Sequence, residues 1–496
     1  MNTAYIVRCA GYIVLLSLIY TSELLLPESW LSFLYSALIL LVGVIEIAQL
    51  IQTDKAKFFL SPAVLCSIYV FVFAYGITNY LYFYSEKSRD ELFYYLGPQA
   101  IKYLNEVLLY VNIAHICMWL GYKSNQLARY LFDIITYIFN LKNILRKDFI
   151  VNISTLWTLY SISLLTRGYL IIVGGYGYAA GLSTASSVAA EYNEILILLS
   201  SSLSKLCLLV FAMYDYKYLN KLSLRALIVI LVELLLGLLY GFKSALVYPI
   251  LIVTLAYLIT HQDVSRRFIV RSAVLIILAI NVSYFLIEPF RQLLVNSTSG
   301  SSSGFDYLTT SLVQSYGTTT QASDANNLGT GNSDTFEAFM ARINLTMWTG
   351  VALANMTDAT EFTEQARMKE KLLLVPLLAY APRAIWPDKP ERNEGVLFYK
   401  LVLRMESDST SFTPGTIGYL FLGFGFAGIV VPIFFLVGIL QRLVYLFFLK
   451  GGGGIILFIG LLQPVVFIDE FTYSLIPFFK ELPLLIFLQY VLLNKK

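Results

Sequence analysis

Residues 30–51 read WLSFLYSALILLVGVIEIAQLI. Glu46 is the one charged side chain in this stretch. A helix needs about 20 mostly apolar residues to cross the hydrocarbon core of a bilayer, and this run supplies them. The same pattern recurs along the chain. Further apolar runs lie near 4–25, 60–84, 104–122, 149–173, 194–213, 222–241, 244–260, 271–289, 424–448, 453–470 and 475–493. With 30–51 they predict about twelve spanning helices. Composition agrees. Of 496 residues 58% are hydrophobic and 14% charged, and mean hydropathy is +0.70, whereas a soluble domain is about a quarter charged. The fold class these features predict is an all-α polytopic integral membrane protein.

The distribution of positive charge orients the helices. With Arg8 and the N-terminus in the cytoplasm, the inner connections carry Lys55 and Lys57, then Lys123, Arg129, Lys142, Arg146 and Lys147, then Lys217, Lys221 and Arg225, then Arg266, Arg267 and Arg271. Arg442, Lys450 and the final Lys495-Lys496 fall on the same side, while the outer connections are neutral, mixed or acidic: Glu28, Glu86 to Glu91, Glu191 and Glu194, Asp469 and Glu470. This is the positive-inside pattern, and it predicts both termini inside. The run after Arg8 has no small-residue cleavage site behind it and reads as a retained first helix. Residues 126–141 are shorter and amphipathic, as an interfacial helix would be.

Three regions follow. Residues 1–289 form an N-terminal membrane region of about nine spans, 290–415 one large external loop, and 416–496 a C-terminal membrane region of about three spans. Within the loop, Val295–Thr335 is dominated by Ser, Thr, Gly and Asn and is expected to be mobile. A helical pattern returns over Thr335–Thr357, with Phe336, Phe339, Met340, Ile343, Met347, Val351 and Ala354 on one face. Glu361–Glu370 reads as a charged surface turn or helix. Leu372–Ile385 is apolar but short, and is expected to dip into or lie along the membrane.

Composition also excludes several function classes. A net charge of +3 without a basic tract does not suggest nucleic acid. Cys9, Cys66, Cys117 and Cys207 all sit in apolar runs without metal-ligand spacing and read as small core hydrophobes. The chain has no phosphate loop ending in Lys-Ser/Thr, no His-Glu-x-x-His and no Cys-x-x-Cys. Neither a metal nor a cofactor is expected.

Charges that break the orderly map carry the functional signal. Arg167 lies about two turns from the outer end of its span, ahead of Gly174-Gly175. Lys243 sits in the outer turn Gly241-Phe242-Lys243, Arg291 follows Glu288-Pro289-Phe290, Arg342 is on the loop helix, and Arg383 stands between Pro382 and Trp386. Lone interfacial cations commonly snorkel to lipid phosphate. A guanidinium inside a span is costly without a partner, however, and clustered guanidinium groups suit the oxygens of a diphosphate. Convergence of at least three of these five cations on an anionic, diphosphate ligand is therefore expected. Glu233 and Lys205, each mid-span on neighbouring helices, read as a structural ion pair, with proton coupling as the sharper alternative. Glu46 reads as interfacial, and His115 and His261 as structural. Lys389, Arg392, Lys400 and Arg404 read as solvated. Glu288, Glu337, Asp388, Asp469 and Glu470 are candidate general bases.

The stretch Pro382-Arg383-Ala384-Ile385-Trp386-Pro387-Asp388-Lys389-Pro390 resembles the bacterial O-antigen and oligosaccharide repeat-unit polymerases, the Wzy family. Gly174-Gly175 after Arg167, the turn Gly241-Phe242-Lys243-Ser244, Arg291 and the tail Thr413-Pro414-Gly415 through Gly418-Tyr419 to Gly423-Phe424-Gly425 are similar to that family in order. The resemblance implies a C-class-like, metal-independent glycosyltransferase of the bacterial inner membrane, serving O-antigen, lipopolysaccharide or capsule-type synthesis. Its substrates would be polyprenyl (undecaprenyl) diphosphate-linked oligosaccharides, and a chain-length regulator would be a partner. It implies catalytic roles for Arg291, Arg383, Lys243, Glu288 and Glu470, diphosphate contacts from Arg167, Lys243, Arg291, Arg342 and Arg383, and sugar contacts from Trp386 and Tyr419. Two positions depart from the family: Lys243 stands where Arg is frequent, and Tyr419 where Glu often follows the glycine. Two alternatives remain, a ligase-type glycosyltransferase and a lipid-linked oligosaccharide flippase or transporter. The ligases often carry a loop histidine, and no His lies between Phe290 and Thr413.

Overall fold

A computed structural model describes residues 3–54, 152–172, 187–240, 243–261, 414–424, 430–451 and 454–466 continuously, and 58–141, 268–287, 344–404 and 479–491 with gaps. All regular structure among the described residues is helical. The chain divides into two compact units: Met1–Asp148 with Thr330–Phe487, and Phe149–Gly329 with Leu488–Lys496.

The first unit begins with α1 (Thr3–Thr21), α2 (Glu28–Asp54), α3 (Pro62–Ile77), α4 (Glu86–Leu96), α5 (Ala100–Lys123) and α6 (Asn125–Ile138). The second part of α3, Ser67–Ile77, is wound as a π-helix. The second unit supplies α7 (Ile153–Ile172), α8 (Ser187–Tyr218), α9 (Leu224–Tyr240) and α10 (Lys243–Thr260). The chain then returns to the first unit with α11 (Leu345–Ala354), α12 (Ala359–Ala366), α13 (Met368–Leu373), α14 (Glu394–Leu397), α15 (Gly415–Phe424), α16 (Val430–Lys450) and α17 (Gly454–Val466).

Among the described residues four helical stretches are long and apolar enough to cross a membrane: Tyr5–Leu24, Glu28–Gln52, Ser88–Lys123 and Val431–Lys450. Helices also stand where the runs 149–173, 194–213, 222–241 and 244–260 predict them. The amphipathic segment is helical too. It buries Ala128, Phe132 and Thr136, one turn apart, and turns Tyr130 and Tyr137 outward. It stops at Asn140, whose φ of 50° is left-handed, and the Leu141 amide donates to the Thr136 carbonyl at 2.9 Å. That six-to-one bond satisfies a carbonyl the helix end leaves open.

In the first unit α5 is the axis. Its first turns, at Ala100 and Leu104, join a core with Leu92, Leu96, Trp348, Val351, Phe362, Met368, Phe398 and Tyr419. Its last turn carries Tyr122 and Lys123 among Arg442, Glu46 and Arg8. Its 24 residues span about 36 Å at 1.5 Å per residue, slightly more than a hydrocarbon core of about 30 Å. Helices α11, α12 and α15 thus meet one end of α5, and Arg8, Lys123 and Arg442 gather at the other. Midway along α16, Gly438 meets Gly121 of α5. A methyl group added at either glycine would collide with backbone of the partner, the Met118 carbonyl for Gly438 and the Phe435 carbonyl for Gly121. Small residues that let backbones approach this closely are what helix pairs use where lipid removes the hydrophobic drive.

Candidate functional site

In the second unit the buried face of α7 is Leu156, Tyr160, Ser163, Arg167 and Leu170, a stripe repeating every three to four residues. The buried face of α9 is Ala226, Val229, Glu233 and Gly237. These stripes bring Arg167 to Glu233. The guanidinium Nη1 lies 2.9 Å from both carboxylate oxygens, and Nη2 donates to Ser204 Oγ of α8. Tyr160, two turns before Arg167, donates its hydroxyl to Glu233 Oε1 at 3.1 Å. The side chains of Arg167 and Glu233 are 7% and 10% exposed, so each charge depends on the other for compensation. The expected pairing of Glu233 with Lys205 is corrected here. Arg167 is the cation that meets Glu233, and the Lys205 ammonium stands 4.5 Å from the centre of the Tyr248 ring. Lys243, expected in an outer turn, is the first residue of α10.

In the first unit α11, α12, α13 and α15 form a packed helical layer. Asn344 caps α11, its Oδ1 accepting from the Thr346 and Met347 amides at 3.0 and 3.4 Å. Thr349 donates to the Pro414 carbonyl at 2.6 Å, and Thr363 to the Leu422 carbonyl at 2.6 Å. Tyr419 is buried beside Phe362, the rings 6.2 Å apart and nearly parallel. Trp386 packs against Leu378, as do Leu374 and Phe479.

Two ties flank the Pro382–Pro390 motif. Arg367, held at a left-handed φ of 50°, donates to the Asp388 carbonyl and pairs with Glu370. Lys371 on α13 pairs with Glu394 on α14 at 2.8 Å, the two side chains 3% and 1% exposed. Sequence reading passed over Arg367, Lys371 and Glu394. Lys371 sits in a run of charges that reads as solvated surface, and its signal is slight: it stands three residues past the buried Met368, on the same face. Lys400 and Arg404 are exposed, as expected.

Arg291, Arg342 and Arg383, with Glu288, Glu337, Asp469 and Glu470, lie outside the described residues, as do Arg392 and Val295–Thr335. Their convergence stays an expectation. Glu46, expected at an interface, is instead wholly buried, and Tyr12 donates to its Oε1 at 3.1 Å. A Ser67–His115 contact of 2.8 Å on α3 and α5 is also fully buried. Trp119 donates to the same His115 nitrogen at 3.1 Å, and Phe71 stacks on the ring at 4.3 Å. With its acceptor nitrogen already held by an indole and no access to solvent, this pair is structural, as is the burial of all four cysteines.

Fold and site together define a protein whose described regular structure is all helical, with apolar helices long enough to cross a membrane and a buried guanidinium–carboxylate pair within one unit. No family model, curated protein or solved structure matches the chain.

Proposed function

We propose that this chain is a membrane glycan polymerase. It would transfer a glycan from a polyprenyl diphosphate to the terminal sugar hydroxyl of a lipid-linked repeat unit. The hydroxyl oxygen attacks the anomeric carbon of the donor, the bond from that carbon to the diphosphate oxygen breaks, and polyprenyl diphosphate leaves. A carboxylate, Glu288 or Glu470, takes the hydroxyl proton. The cations Arg167, Lys243, Arg291, Arg342 and Arg383 stabilise the charge developing on the leaving diphosphate. In this reading the chain has about twelve spans and both termini inside, in the inner membrane of a bacterium, with the site on the outer face.

The observation that carries the reading is the motif Pro382–Pro390 with Arg383 at its start. Its described neighbours give the motif firm supports: Trp386 in an apolar contact and Asp388 held by Arg367. The position of the layer at one end of α5, opposite the basic end, fits an outward-facing site. Arg167 enters this scheme already paired, so a diphosphate must share it with Glu233 or displace the carboxylate. The pair is also the observation that favours the runner-up, a transporter of lipid-linked oligosaccharide, because buried charge inside spanning helices can mark a coupling path.

The test is chain growth in vitro, using purified protein and lipid-linked repeat units without metal or nucleotide. The native protein is expected to lengthen the glycan, and Arg383→Ala and Arg291→Ala each to slow it by about a hundredfold or more. Native-level polymerisation by both variants would sink the site assignment. Movement of the substrate across proteoliposomes without chain growth would replace the polymerase by the transporter.

A further inference from the structure

Glu46 is a fully buried carboxylate on which α1, α2 and α5 meet. Arg8 places Nε 3.9 Å from its Oε1, and Lys123 places Nζ 3.8 Å from its Oε2. Both cations also stand over the ring of Tyr5, at 5.3 and 5.7 Å. These ion-pair separations exceed hydrogen-bond reach. Arg8 Nε and Glu46 Oε2 are buried and have no hydrogen-bond partner, an expensive condition for charged groups. The cluster therefore offers a donor at Arg8 and an acceptor at Glu46, and two cations share its one carboxylate.

We infer that this end of the first unit binds the head group of an anionic phospholipid. A phosphate oxygen accepts from the Arg8 guanidinium beside Lys123, with the buried Glu46 behind them. Phosphatidylglycerol carries such a phosphate with a net negative charge, which phosphatidylcholine lacks. The site is reachable, since the Arg8 and Lys123 side chains are 27% and 22% exposed. It opens along α1, where Ile6, Val7, Ile13 and Val14 face outward. Of the α1 spanning window 22% is buried within the protein, so acyl chains find apolar surface directly beside the head group. Basic pockets between spanning helices on the inner side are established places for such head groups. Free phosphate shares the head-group chemistry but gains nothing from the apolar face. The inference is independent of the polymerase reading.

Native mass spectrometry of the delipidated full-length protein tests it. The probes are phosphatidylglycerol, phosphatidylcholine of the same acyl chains, and inorganic phosphate. Phosphatidylglycerol is expected to bind roughly thirtyfold tighter than phosphatidylcholine, the worth of two basic contacts. The double variant Arg8→Gln, Lys123→Gln is expected to lose that preference while eluting as native on gel filtration. If the double variant does not fold, the native protein decides alone: phosphatidylglycerol must raise its Tm above the value in phosphatidylcholine. Equal retention of the two lipids, equal Tm, a preference that survives the double substitution, or saturation by inorganic phosphate alone each overturns the inference.

Discussion

Arg167 and Glu233 hold most of the energetic tension at the scale of single residues. Removing one partner of a buried ion pair leaves an uncompensated charge and costs about 3–5 kcal/mol, whereas replacing both by apolar groups is often near neutral. Arg167→Met and Glu233→Leu are each expected to destabilise the protein by that amount, and the double variant by much less. Thermal unfolding in detergent measures all three. The pair has a kinetic corollary if the chain is a polymerase. Glu233 competes with the donor diphosphate for the guanidinium, so Glu233→Gln is expected to lower KM for the donor, and Arg167→Lys, which loses the bidentate fork, to raise it. A KM unchanged in both variants would remove Arg167 from the binding site. Arg167 was legible in the sequence because a guanidinium inside a span demands a partner. The partner was less so. Glu233 faces one neighbour among several, and the choice between Arg167 and Lys205 turns on which stripe of each helix faces inward, a matter of packing that spacing alone does not decide.

Among the elements, the crossing of α5 and α16 is the least forgiving. Each glycine there stands where a Cβ would meet backbone, which cannot swing aside as a side chain can. Overpacking a close contact typically costs 1–3 kcal/mol, and this contact lies between two helices long enough to span. Gly438→Ala is expected to lower stability by about 2 kcal/mol or more, while Gly168→Ala, at a glycine with open space around it, is expected to leave stability unchanged or slightly improved. Equal melting of the two variants would mean that the helices separate at little cost. Helix positions were readable from hydropathy because a lipid-facing helix is apolar nearly all round. The glycine crossing was not, since Gly121 and Gly438 show no periodic signature and gain their meaning from each other. The Lys371–Glu394 tie was hidden for the opposite reason: its residues look like surface until a layer of helices closes over them.

For the molecule as a whole, sidedness is the property that function requires. The four native cysteines are buried, so introduced thiols can be read against a quiet background. Asp388→Cys, at an exposed position in the outer layer, is expected to react with a membrane-impermeant thiol reagent in intact cells. Gln126→Cys, exposed at the start of α6, is expected to react only after permeabilisation. The reverse pattern would invert the proposed orientation and move the motif to the cytoplasm. The sequence predicts this orientation because its positive charges alternate by connection along the chain. The division into two units was not legible at all. The sequence reads as one series of spans with a single loop, whereas the first unit closes through residues from both parts of the chain.

That closure sets a timetable for the ribosome. Tyr122 on α5 and Arg442 on α16 are 320 positions apart, and at about 5–20 residues per second roughly 15–60 s separate their synthesis. For that interval the Gly121 face of α5 is finished but lacks α16, while Phe149–Gly329 of the second unit is being made. A newborn chain must therefore shelter an incomplete helix pair in the lipid, so insertion machinery or a holding chaperone that stays with α5 has its strongest claim on this protein before α16 emerges.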